Sequence, residues 1–297
     1  ERPVTIVIPF GAGGAGDALL RIVSEPVETA LGQKLLLVSR PGAGGNLGAQ
    51  SVVSAAPDGY TLLLGATGSF VINQFLFTNM GFDPLKALQP ITMIADVPAV
   101  FFTHPSVPAT DLREFIAHAK DNPGKLNYGS PSVGSTPHLG VEQLKLMAGL
   151  DIVHVPFQSA PQGVQALMRN DVQLYLGGVV LAQSHVETGA LRAIAVSSAK
   201  RLGALPNVPT LHESGFKNFD PSNWWMLAAP SGTPQAVVDT LQKAFVAALA
   251  DRRVHGRLEQ LGFVPGGQSP KEVASRIAAE ATVWGDVIRK AKIAVAK

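Results

Sequence analysis

The sequence has no cysteine, which excludes disulfides, thiol catalysis and cysteine-based zinc or iron–sulfur centres. Charge is sparse at 15% and nearly balanced, with 24 Lys and Arg against 22 Asp and Glu, so nucleic acid has no electrostatic claim on the chain. No apolar run reaches the roughly 20 residues needed to cross a bilayer. The seven histidines include no H-x-x-x-H pair, and a metal site is therefore not expected. What the chain has in quantity is apolar surface, 46% of its residues, together with 30 glycines. At 297 residues it can form two domains of ordinary size, each with its own core.

The stretch from Val4 to Asp17 organises the rest. Val4 to Ile8 is rich in Val, Ile and Thr and reads as a short buried strand; a glycine-rich turn follows, then a helical run from Ala18 to Leu31. Loops of this kind aim backbone N–H groups, and the positive end of the next helix, at an anion. Asp17 is expected to cap that helix. The first residues run straight into a strand, as expected of a mature chain that has lost its leader.

The pattern repeats. Lys34 to Val38 reads as a strand, Pro41 to Gly45 as a loop and Leu47 to Ala55 as a helix; Tyr60 to Leu64 is a third strand, ending in the loop Gly65 to Ser69. Three such units predict a parallel sheet with helices on its faces. The segment from Pro90 to His104 is expected to carry the chain into a second domain as one strand interrupted by proline. There Thr110 is the expected cap of a helix from Asp111 to Lys120. Leu126 to Gly129 reads as a strand, Ser130 to Thr136 as a hydroxyl-rich loop and His138 to Ala148 as a helix. Strands at Ile152 to Val155, Val172 to Leu176 and Leu191 to Val196, with intervening helices and a glycine pair at Gly177 and Gly178, complete a second α/β block. Asn223 to Ala229 returns to the first block, and helices finish the chain. The resulting division assigns 1–101 and 225–297 to one domain and 102–224 to the other.

Two chemistries compete with anion capture. Gly11 to Gly16 spells G-x-G-x-x-G, and Arg40 after the second strand suits a 2′-phosphate, so an NADP-dependent oxidoreductase is the alternative reading. Against it, Pro9-Phe10 separates strand from glycines, and one nucleotide does not require so many glycine loops. Ser132 and Ser135 lie near His138 and His154, but no G-x-S-x-G elbow is present, so a serine hydrolase is not expected. Trp224-Trp225 reads as core or hinge packing ahead of an aromatic binding wall.

A series of ordered motifs then stands out. They are Val7-Ile8-Pro9-Phe10 with Gly13-Gly14 and Asp17, Arg40 to Asn46 with Gly48-Ala49, and Pro57 to Leu62. Further along come Tyr128-Gly129-Ser130, Val133-Gly134-Ser135, Pro137-His138-Leu139, Val155-Pro156-Phe157, Pro206 to Thr210, Ala229-Pro230 and Gly232-Thr233-Pro234. With these the chain resembles, over essentially its whole length, the Bug-type periplasmic solute-binding proteins of the tripartite tricarboxylate transporter system. The resemblance implies a periplasmic receptor, not an enzyme, without cofactor or metal. It would act as a monomer, hold a small organic mono- or dicarboxylate and serve a membrane permease. It also implies two doubly wound α/β domains joined by crossing strands, closing on the ligand like a flytrap. Carried over by position, ligand contacts are expected at Phe10, Ala12, Gly13, Gly14, Thr67, Ser69, Ser130, Ser132, Gly134 and Ser135. Phe157 is expected to bear on the identity of the acid, while Asp17 and His138 match as caps or loop supports. Two departures are Gly16, where the family often has Thr or Ser, and Gly177, where it often has Asp. The second points to a ligand without an amino group.

Overall fold

A computed structural model describes residues 2–77 and 80–294. In chain order it opens with β1 (Val4–Ile8), α1 (Ala15–Leu31), β2 (Leu35–Ser39), α2 (Asn46–Val53) and β3 (Thr61–Ala66). Two short helices, α3 (Asn73–Leu76) and α4 (Pro84–Ala87), precede β4 (Leu88–Val97) and β5 (Ala99–Thr103). Next come α5 (Leu112–Asp121), β6 (Asn127–Ser130), α6 (Thr136–Ala148), β7 (Val153–Pro156), α7 (Ala160–Met168), β8 (Leu174–Gly178), α8 (Gln183–Glu187) and β9 (Arg192–Val196). The chain ends with β10 (Asn223–Pro230), α9 (Gln235–Ala250), α10 (Arg252–Gln260), β11 (Val264–Pro265) and α11 (Pro270–Lys290).

These elements form two compact units, one of residues up to Asp96 with Trp224–Gly285, the other of Val97–Asn223 with the residues from Asp286 onward. The first holds a six-stranded sheet in the order β11-β4-β10-β3-β1-β2, the second a five-stranded sheet in the order β7-β6-β8-β5-β9. In the first, β1 lies between β2 and β3 and is parallel to both. In the second, β6 holds the same place between β7 and β8. Each unit therefore has a parallel triplet whose middle strand feeds a glycine or serine loop and a helix.

The parallel pairing expected of the first three units is found in β2-β1-β3, and both sheets also carry antiparallel strands: β10 runs antiparallel to β3, and β5 antiparallel to β8 and β9. The sequence pattern cannot signal this, because a buried strand reads apolar in either direction. In β5 the alternation is visible in the packing. Phe101 enters a cluster with Leu112, Phe115 and Leu144 on one face, while Val100 and Phe102 pack with Val164, Leu167 and Val172 on the other.

Four local expectations are also corrected. The segment 90–104 is two strands, since Pro98 cannot continue the ladder and separates β4 from β5. The strand expected to end at Leu176 runs on through Gly177 and Gly178, both of which pair with β5. Asp111, not Thr110, caps α5, its carboxylate accepting from the Glu114 N–H. Finally, α1 begins at Ala15 with Gly14 as its N-cap, which places Asp17 third in the helix and not at its cap. Among the described residues no helix is long and apolar enough to cross a membrane.

Candidate functional site

In the first unit the loops after β1, β2 and β3 leave the same edge of the sheet. After β1, Gly13 has φ +82° and Gly14 is extended, a turn that residues with a side chain resist. The Gly13 N–H donates to Asp17 Oδ2 at 2.6 Å, so the third residue of α1 reaches back to the residue before its N-cap. Gly11 through Gly14 remain exposed, Ala12 among them. Gly13 thus supplies shape, and its own N–H is already engaged.

The other two loops close on this one. A Cβ on Gly45 would stand 3.3 Å from both Pro9 Cβ and Ser69 Oγ and 3.4 Å from Phe10 Cζ, so Phe10, Ser69 and Gly45 meet at one point. Asn73 Nδ2 donates to Gly44 O at 3.0 Å and to Asn46 Oδ1 at 2.6 Å, tying the loop after β2 to the segment after β3. Thr67 and Ser69 are fully buried; Thr67 Oγ1 accepts from the Trp224 N–H at 3.0 Å, and Ser69 Oγ has no hydrogen-bond partner among the described residues.

Trp225 is a neighbour whose role the sequence reading did not separate from that of Trp224. Its ring meets Phe10 edge-on at 5.5 Å, and its Cζ3 would lie 2.6 Å from a Cβ on Gly16. Gly16 is therefore explained by packing, and its place in the G-x-G-x-x-G spelling needs no nucleotide. Trp224 is core, as expected: it is fully buried, with its indole N–H on the Glu280 carboxylate at 2.8 and 3.0 Å.

In the second unit the loop after β6 is built on the same plan. Gly134 has φ +78°, Ser135 is the N-cap of α6, and the Gly134 N–H donates at 2.9 Å to Nδ1 of His138, the third helical residue. Ser132 O gathers the hydroxyls of Ser130 (3.0 Å) and Ser135 (2.7 Å), while Ser132 itself is exposed. Ser130 and Ser135 thus meet at Ser132 O, and Gly134 joins them through His138, whose N–H donates to Ser135 Oγ at 3.4 Å. Phe157 adjoins this loop, its N–H donating to Ser130 O at 2.8 Å and its ring packing beside Gly129. Gly177 stands apart, buried in β8. A Cβ there would lie 2.8 Å from Leu181 Cδ1, so a larger residue would need Leu181 to move.

Ser130 Oγ also lies 2.7 Å from His154 Nε2. The Ser130 hydroxyl also has Ser132 O as an acceptor at 3.0 Å; when its proton is directed there, His154 donates from Nε2 to the serine, the reverse of general-base geometry. Among the described residues no group of three or more acidic or histidine side chains is placed to hold a metal ion. A separate cleft, lined by Pro105, Val107, Glu114, His118 and Arg192, opens at the other end of the second unit's sheet and contains none of the expected residues.

Residues 19–293 match the family model described as "Tripartite tricarboxylate transporter family receptor". A UPF0065 protein of Bordetella pertussis is 35% identical over 98% of this chain and 90% of its own. A Rhodopseudomonas palustris protein solved with adipate is 32% identical, with a TM-score of 0.86 over 99% of both chains. The periplasmic binding protein BugD is 31% identical, with a TM-score of 0.81 over 99% of this chain and 98% of its own. MatC of Rhodopseudomonas palustris, solved with bound malate, is 30% identical, with a TM-score of 0.81 over 97% of this chain and 99% of its own. The oxidoreductase alternative finds no support among these similarities.

Proposed function

We propose that this chain, which belongs to the tripartite tricarboxylate transporter receptor family, is a Bug-type receptor that captures a small organic mono- or dicarboxylate in the periplasm. It acts as a monomer, performs no chemistry on its ligand and delivers it to the membrane permease of its transporter. The observation that carries this reading is the whole-length similarity, at 30% and 32% identity, to proteins solved with malate and adipate.

The loop geometry supports it. Each unit places a loop at the end of the middle strand of a parallel triplet, where pockets of α/β proteins form. Because the N–H groups of Gly13 and Gly134 are held by Asp17 and His138, the donors assigned to the carboxylate are the neighbouring amides of Ala12, Gly14, Ser132 and Val133. Phe10, Thr67, Ser69, Ser130, Ser135 and Phe157 shape and support these loops, and Gly177 leaves no acid to pair with a ligand amine. Main-chain dipoles held in place stabilise an anion without a neutralising arginine.

Titration calorimetry at neutral pH against adipate, malate and related acids, with NADPH as control, tests this. At least one acid should bind, be recovered unchanged and, at about 100 times its Kd, stabilise the protein by about 2.7 kcal/mol. Failure of every acid with binding of NADPH would overturn the reading.

A further inference from the structure

Behind the 131–135 loop lies a cluster of ionisable side chains that ligand capture does not itself require. The rings of His138 and His154 stack with centroids 3.9 Å apart, and Tyr128 stacks on His154 at 4.9 Å. Tyr128 OH donates to Glu142 Oε1 at 2.5 Å, and Lys145 Nζ donates to the same oxygen at 2.6 Å. These groups come from β6, β7 and α6, the elements packed around the pair.

The hydrogen bonds fix where the imidazole protons sit. His138 Nδ1 accepts the Gly134 N–H, so its proton is on Nε2. With the Ser130 hydroxyl directed at Ser132 O, the 2.7 Å contact requires His154 to donate from Nε2, and the serine passes the restraint on to Ser132 O. A proton added to His138 Nδ1 would face the Gly134 N–H donor to donor, and two imidazolium rings in this stack would repel each other. From these contacts we infer that neutral His138, acting through the Gly134 N–H, and neutral His154, acting through Ser130, are positioning residues that hold the 131–135 loop in its ligand-binding shape. The inference rests on the reading of that loop as part of the carboxylate site.

The ionisation of the pair agrees. Burial first, then the charges of His154 and Lys145, pull His138 down to about 3. Burial first, opposed by Glu142 and aided by Lys145, pulls His154 down to about 4. Both values lie below the 6.5 of a free histidine, so on acidification the unfolded chain takes up these protons before the folded one. Stability is therefore independent of the pair above about pH 6.5 and falls as pH drops from there towards 4 and then 3.

The test is made on the full chain. Histidine-selective ¹⁵N NMR of the unliganded protein at pH 7 should find His138 protonated on Nε2 alone and His154 on Nε2, with neither ring titrating between about pH 8 and 5.5. His154→Gln keeps an N–H donor for Ser130, and His154→Leu removes it. With adipate or malate as the probe, whichever binds the wild type, the Gln variant should stay within about threefold of wild-type affinity and the Leu variant should lose about tenfold or more. Should the Leu variant fail to fold, the tautomers and the Gln variant decide. A proton on His138 Nδ1 at pH 7, titration of either ring above pH 5.5, equal losses in both variants or no loss in the Leu variant would each overturn the inference. If no acid binds the wild type, the proposed function fails on its own, while the tautomers and titration still decide the state of the pair.

Discussion

Gly13 and Gly134 occupy equivalent places. Each stands before the N-cap of the helix that follows a middle strand, each has a left-handed backbone, and each gives its N–H to the third helical residue. A Cβ on Gly13 would meet no atom within 4 Å, so substitution there isolates backbone strain from crowding. Gly13→Ala should destabilise the protein by about 1–2 kcal/mol in urea unfolding and weaken carboxylate binding. Gly11→Ala, also without close neighbours but outside the left-handed region, should leave stability unchanged. At this scale the sequence was legible where backbone conformation alone decides, hence the glycines. Asp17 as a support for its loop was legible too. The partnership of His154 with Ser130, 24 positions apart, was not: it depends on β6 lying beside β7, and no local pattern encodes a cross-strand neighbour. Trp225 was visible only as an aromatic, because its contacts with Phe10 and Gly16 come from the return of the chain through β10.

Among the elements, α5 shows how a helix start is decided. Asp111 accepts from the Glu114 N–H at 2.9 Å, while the Glu114 carboxylate accepts the Thr110 N–H at 2.6 Å and its hydroxyl at 2.7 Å. The same reach of a third helical residue back to the preceding loop recurs at Asp17 and His138, so the two candidate loops use an ordinary capping device for a special purpose. Asp111→Ala should cost about 1 kcal/mol of stability. Thr110→Ala, which keeps the N–H bonded to Glu114, should cost about half of that or less in the same denaturation assay. Most strands and long helices could be placed from apolar periodicity, with ends shifted by one to a few residues. What escaped was strand direction, the partition of 90–104 at Pro98, and β11, whose two residues carry no periodicity at all.

At the scale of the whole molecule, the two units repeat one design: a middle strand, a loop turned by a left-handed glycine, and a helix whose third residue holds that glycine in place. Family membership was legible because the motifs that carry it lie in these loops and their order survives along the chain. The identity of the acid was not legible, since it depends on side-chain placement around the loops and not on the loop pattern. In the proposed function, main-chain amides of these loops take the carboxylate. The most direct measurement is the amide ¹H–¹⁵N spectrum of the assigned full chain, titrated with whichever of adipate or malate binds. The amide protons of Ala12, Gly14, Ser132 and Val133 should move downfield together, saturating at the calorimetric affinity, while those of Gly13 and Gly134 stay near their unliganded positions. Saturable binding that leaves all four unmoved would contradict it.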